Sequence, residues 1–156
     1  MNIVLAAVGH KMPAWVQAAY ADYAARLPRE CTLLLREIAP AQRGKNADLA
    51  RAKKEEGEKL LRAIPRDALV IALDERGREL TSTQWSRELA GWMQSGRDVA
   101  LLIGGADGHA SEVLAHAQQS WSLSKLTLPH AMVRVLVAEQ LYRAWTLLAN
   151  HPYHRA

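Results

Sequence analysis

Four short apolar runs recur along the chain with longer segments of helical periodicity between them: NIVLAAV at 2–8, TLLLREI at 32–38, ALVIAL at 68–73 and DVALLI at 98–103. Each is brief, rich in Leu or β-branched residues, and followed closely by Gly, Pro or Asp, as buried strands are. They show almost no polar–apolar alternation, which is the pattern of strands covered on both faces. The intervening segments 13–26, 46–64 and 82–94 predict helices, the last opening on the capping-box pattern Thr81-x-x-Gln84 and closing at Ser95-Gly96. Such a rhythm predicts an α/β fold with a mainly parallel sheet and helices on both faces.

At 156 residues the chain suits a single domain, 1–156, without internal repeats or linkers. The surplus of 20 Lys and Arg over 16 Asp and Glu permits a polyanionic partner without identifying one. Five Trp, four Tyr and no Phe mean that any surface stacking on a base or cofactor must be built from Trp, Tyr or His. The lone Cys31 excludes an intramolecular disulfide, fits a reducing cytoplasm, and reads as a small buried hydrophobe. The opening MNIVLAAVGHK has no basic leader region, and no run reaches the ~18 apolar residues of a membrane span, so neither secretion nor membrane insertion is expected. The mixed charges of 46–64, Glu55, Glu56 and Glu58 among them, read as a solvated helix face, whereas Arg43-Gly44-Lys45 could follow a phosphate backbone.

A parallel sheet places its ligand site at the carboxyl ends of its strands. The first strand ends in Val8-Gly9-His10-Lys11-Met12, which lacks the G-x-G-x-x-G spacing of a dinucleotide site, and no G-x-x-x-x-G-K-[ST] phosphate loop occurs anywhere. The third is followed by Asp74-Glu75-Arg76-Gly77, whose acidic pair could bind ribose or could equally belong to an ordinary polar turn; spacing does not choose between them. The fourth ends in Ile103-Gly104-Gly105-Ala106-Asp107-Gly108, where glycines allow backbone to approach a ligand closely.

Beyond these, WSLSKLTL at 121–128 alternates only in part like a strand, and Pro129 ends it, because proline suits a first helical turn and disfavours helix just before itself. Residues 130–150 contain no Gly or Pro and place Val133, Val137, Leu141, Trp145 and Leu148 on one helical face. A second stripe of Met132, Leu136, Ala144 and Leu147 exceeds what one sheet contact needs and predicts a dimer face. Glu139 and Arg143 have the spacing of a helix-stabilising ion pair. The tail, Asn150-His151-Pro152-Tyr153-His154-Arg155, suits stacking on a base and contacting phosphate. Its His151-x-x-His154 spacing has no further ligand nearby, so no metal is expected.

Taken together, AVGHKMPAWV, RGKNAD, LDERG, LLIGGADG, SLSKLTLPHAMVRVLVAEQLYRAW and NHPYHR resemble the ribosomal large subunit methyltransferase H family of SPOUT methyltransferases over essentially the whole chain. The resemblance implies a five-stranded sheet with a C-terminal trefoil knot, an exception to the rule that chains avoid knots. It also implies a cytoplasmic homodimer using S-adenosylmethionine to methylate N3 of a pseudouridine in 23S ribosomal RNA, on assembled ribosomes. Carried over by motif, the cofactor would contact Leu73, Gly104, Gly105, Leu123, Ser124, Lys125, Leu126, Thr127 and Leu128. Tyr153, His154 and Arg155 would border the substrate, with His130 as proton acceptor and Arg155 stabilising negative charge on the base. Rival readings are another RNA target such as a tRNA base, and a non-catalytic dimer assisting ribosome assembly. Cofactor binding separates the latter from the enzyme.

Overall fold

The computed structural model describes residues 1–44 and 48–155; Lys45, Asn46 and Ala47, which include the start expected for the second helix, lie outside the described residues, as does Ala156. Five strands form one sheet in the order β2-β1-β4-β3-β5, all pairings parallel. They are β1 (Asn2–Val8), β2 (Thr32–Ile38), β3 (Leu69–Glu79), β4 (Val99–Ile103) and β5 (Gln119–Ser122). Helices α1 (Ala14–Ala25), α2 (Leu49–Ala63), α3 (Ser82–Ser95), α4 (Ser111–His116) and α5 (His130–Leu148) connect and follow them, and the chain closes on a 3₁₀ turn, Pro152–Arg155.

The two faces of the sheet bury different cores. Ile3, Leu5, Ile71, Leu101 and Trp121 point toward α1, α3 and α5, while Ala6, Val8, Val70, Ala100 and Leu102 point toward Leu60 of α2 and Val113 of α4. On the second side α2 and α4 pack closely on each other: a Cβ on Gly57 would meet Val113 Cγ2 at 2.7 Å. Central β4 is buried at every position, which accounts for its unalternating sequence.

One sequence expectation changes, one element was not foreseen, and one partial reading is resolved. The 74–77 stretch is no simple turn: β3 continues through it to Glu79, and Leu73 and Arg78 both pair with Trp121, so Asp74 to Gly77 bulge out of the ladder. Polar composition hid a strand that resumes after the bulge. Next, α4 went unpredicted because its six residues are too few for a readable period. Finally, β5 stops at Ser122, and the remainder of the WSLSKLTL stretch is loop.

Candidate active site

The ends of β3, β4 and β5 converge with the start of α5. Trp121 fixes the root of the 123–128 loop: it is 1% exposed, stacks on Trp92 at 5.8 Å and meets Trp85 edge-on at 5.0 Å. Its indole Nε1 donates to Gln119 Oε1 at 2.8 Å, so this large apolar group is buried without stranding its polar atom. From that anchor the loop is shaped locally. The Ser122 hydroxyl donates to the Ser124 carbonyl (2.9 Å) and the Leu126 amide donates to Ser124 Oγ (2.9 Å), a tight turn that aims Leu126 outward at 72% exposure. The loop ends at Pro129, whose carbonyl accepts from Val133 in the first turn of α5.

A cleft of about 160 Å³ lies between this loop and the β3 bulge, lined by Leu73, Asp74, Glu75, Leu123, Ser124, Leu126, Thr127, Leu128 and Val133. A wider one of about 710 Å³ adjoins it, sharing Asp74, Glu75 and Leu128 and reaching Gly105, Asp107 and Lys53. Six of the nine residues expected at a cofactor therefore line the narrow cleft, and Gly105 the wide one. Lys125 is exposed and lines neither. Gly104 forms the tight turn below: a Cβ there would lie 2.8 Å from the backbone carbon of Gly108, and the Gly108 amide donates to the Gly105 carbonyl.

The same turn is gripped from α2, which corrects the solvated reading of that helix. Glu56 is 2% exposed, accepts from the Ala41 amide (3.0 Å) and forms a two-pronged ion pair with Arg43 (2.7 and 2.9 Å). Arg43 Nε reaches on to Asp107 at 2.8 Å, so this arginine is occupied within the protein. These paired carboxylates hold its guanidinium well above its usual pKa. Gly105 carries no side chain because a Cβ would meet Glu56 Oε1 at 2.9 Å. Sequence reasoning missed Glu56; its place beside Ala52, Gly57 and Leu60 on the buried stripe was the available signal. His109, also missed, is buried beneath the turn with Nε2 3.0 Å from the Leu102 carbonyl, and burial lowers its pKa.

His130, the first residue of α5, sits where the glycine turn meets the end of β1. A Cβ on Gly9 would lie 3.5 Å from its Nε2, which is buried and has no partner among the described residues. Burial, and then the charge of Arg134, push its pKa below the ordinary histidine value, against a backbone hydrogen bond to Gly104.

The tail lies elsewhere. Tyr153 donates from its hydroxyl to Glu139 Oε1 (2.9 Å) and packs on Tyr142, while Arg155 Nη2 reaches only Asn150 (3.4 Å). At about 1.5 Å per residue, Glu139 lies roughly 13 Å along α5 from His130, so one chain does not unite His130 with Tyr153, His154 and Arg155. Glu139 and Arg143 form the expected pair at 2.7 Å and together seat Tyr153, with Arg143 over its ring. Ala144, assigned to the dimer stripe, is instead fully buried in this chain's own core, leaving Met132, Leu136 and Leu147 half-buried. Among the described residues no three His, Cys, Asp or Glu gather as a metal site, and no helix is long and apolar enough to cross a membrane.

The fold is similar to that of a solved probable methylase family protein from Haemophilus influenzae Rd KW20. The two superpose with a TM-score of 0.62 at 17% identity, covering 97% of this chain and 69% of that one. The family model described as "Predicted SPOUT methyltransferase" matches residues 1–154. Proteins named ribosomal RNA large subunit methyltransferase H are similar along their whole length: 59% identical in Thioalkalivibrio sulfidiphilus (strain HL-EbGR7) and 56% in Hydrogenovibrio crunogenus (strain DSM 25203 / XCL-2), each over 99% of both chains. The chain belongs to this family of SPOUT methyltransferases. The trefoil knot expected from the resemblance is consistent with that membership.

Proposed function

We propose that this chain transfers a methyl group from S-adenosylmethionine to N3 of a pseudouridine in 23S ribosomal RNA, acting as a cytoplasmic homodimer on assembled ribosomes. The observation that carries the reading is the placement of His130 beside Gly104, at the head of the helix that follows the loop walling the apolar cleft. The cleft suits the cofactor chemically. Leu123, Leu126 and Leu128 wall a space for a flat ring, Asp74 and Glu75 provide negative charge for a cationic ligand, and Gly105 keeps the adjoining wall free of side chain.

When bound, S-adenosylmethionine supplies an electrophilic methyl group. The residues of this chain orient the acceptor and handle its proton. His130, kept neutral by burial and Arg134, accepts the imide proton from N3 as the nitrogen becomes nucleophilic. Arg155 offsets negative charge spreading onto the base carbonyls. Because the tail is seated on Glu139 and Tyr142 of its own chain, the Tyr153, His154 and Arg155 side serves the site of a second copy. Pairing of the Met132, Leu136 and Leu147 stripes supplies that copy.

Incubation with methyl-labelled S-adenosylmethionine and intact ribosomes, large subunits or naked RNA tests the proposal. Label on ribosomes, mapped to N3 of a pseudouridine, is expected; label in none of the three overturns it. Leu136→Asp is expected to raise the dimer dissociation constant at least 100-fold in sedimentation equilibrium, and an unaltered dimer would remove α5 from the interface.

A further inference from the structure

Three buried polar atoms without a partner among the described residues lie in one neighbourhood: Tyr20 Oη, Arg134 Nε and His130 Nε2. Arg134 is 1% exposed on α5; its Nη1 donates to Glu37 Oε2 at 2.7 Å and its Nη2 to the Gly9 carbonyl at 2.8 Å. Gly9 links the group, since a Cβ there would lie 3.4 Å from Arg134 Nη2 and 3.5 Å from His130 Nε2. Tyr20 reaches the same place from α1 and is 9% exposed. Tyr20 and Arg134 both line a cavity of about 220 Å³ whose apolar walls are Met12, Val16 and Leu35 and whose remaining polar side chains are Gln17 and Glu37.

Buried donors and acceptors in folded proteins nearly always have partners, so unpartnered atoms on two residues that line a cavity, with His130 close by, point to a ligand. The kind of ligand follows from the charges. Glu37 already balances Arg134, which disfavours a free anion. A hydroxyl and a guanidinium N–H set between thioether and aliphatic walls suit a flat, neutral heterocycle with carbonyl acceptors. We propose that this cavity is a subsite for a pyrimidine base of the RNA substrate adjacent in sequence to the methylated one, held by Tyr20 and Arg134. The inference rests on the RNA-methylating function proposed above and extends it: the substrate is RNA with two neighbouring bases unstacked, one at His130 and one here. Single-stranded RNA splays its bases in this way, whereas a duplex does not.

The test uses the full-length dimer and Tyr20→Phe, which removes one oxygen and keeps the ring. With ribosomes as substrate, the variant is expected to raise KM for ribosomes about tenfold, a change worth ~1.4 kcal/mol, with kcat changed less than twofold and an unaltered dissociation constant for S-adenosylmethionine. Because it deletes a buried hydroxyl that has no protein partner, its thermal midpoint is expected to equal or exceed that of the parent. An unchanged KM overturns the subsite, and so does a lowered midpoint with unchanged KM, the signature of a structural hydroxyl. A second readout is independent of methyl transfer. Uridine titrated into protein labelled with ¹³C-methyl methionine should shift the Met12 signal in the parent and, in Tyr20→Phe, only at about tenfold higher concentration, while inorganic phosphate shifts neither. If ribosomes take no label but uridine still shifts Met12 through Tyr20, the functional reading falls and the subsite stands. If ribosomes are labelled and uridine leaves Met12 unmoved in the parent, the subsite falls and the function stands.

Discussion

Gly77→Ala destabilises the protein by about 3 kcal/mol and abolishes measurable cofactor binding; these are the expected results of thermal unfolding and of calorimetry with S-adenosylmethionine. A Cβ at position 77 would stand 2.6 Å from the carbonyl carbon of Trp121 and 2.7 Å from the backbone of Ser120. No side-chain rotation relieves a clash with backbone, so β3 and β5 must part. Overpacking of this kind costs about 1–3 kcal/mol or more, equivalent to a fall of ~6–12 °C at the upper figure for a chain of this size. Binding suffers because the bulge that Gly77 closes presents Asp74 and Glu75 to both clefts. A midpoint within 2 °C of the parent would show that the strands can separate at little cost.

His130→Gln should lower the single-turnover rate of methyl transfer by about 10²–10⁴-fold, while S-adenosylmethionine still binds. Glutamine keeps a polar side chain at the head of α5 but cannot take up a proton near neutrality. The pH profile has a defined sign. Burial and Arg134 depress the histidine's pKa, so the neutral, proton-accepting form persists below the usual value of about 6.5 and the rate falls only as pH drops through the lowered value. A rate already halved above pH 6.5, or an unaltered rate in the variant, would remove His130 from proton transfer.

The parallel sheet was legible in the chain because strands covered on both faces leave an unmixed apolar record: β1, β2 and β4 fall within a residue of their expected bounds. The capping box at Thr81 and Gln84 is present with both of its hydrogen bonds, since it depends only on residues three apart. What escaped depends on contacts distant in sequence. Glu56 looks like any other charge on a mixed helix until Arg43, itself held by Asp107 from a third segment, is brought to it. Gly77 looks like a turn residue until β5 is laid against it. For the candidate site, the 123–128 loop and the glycine turn were readable as backbone features of known type. The separation of Arg155 from His130 along α5 was not, because nothing local dictates where a six-residue tail docks.

The strand order also governs when the molecule can come into being. β1 is made first, yet its inner neighbour is β4, and the Asn2 amide donates to Asp98 across 96 residues. At roughly 5–20 residues per second of synthesis, an interval on the order of 5–20 s separates the two strands during translation. Through it the seven-residue β1 has only β2 to pair with and keeps one apolar edge open. Long-range parallel pairing is slow in any case, so the nascent first half is the stage at which this chain is most exposed to aggregation and has most to gain from a chaperone.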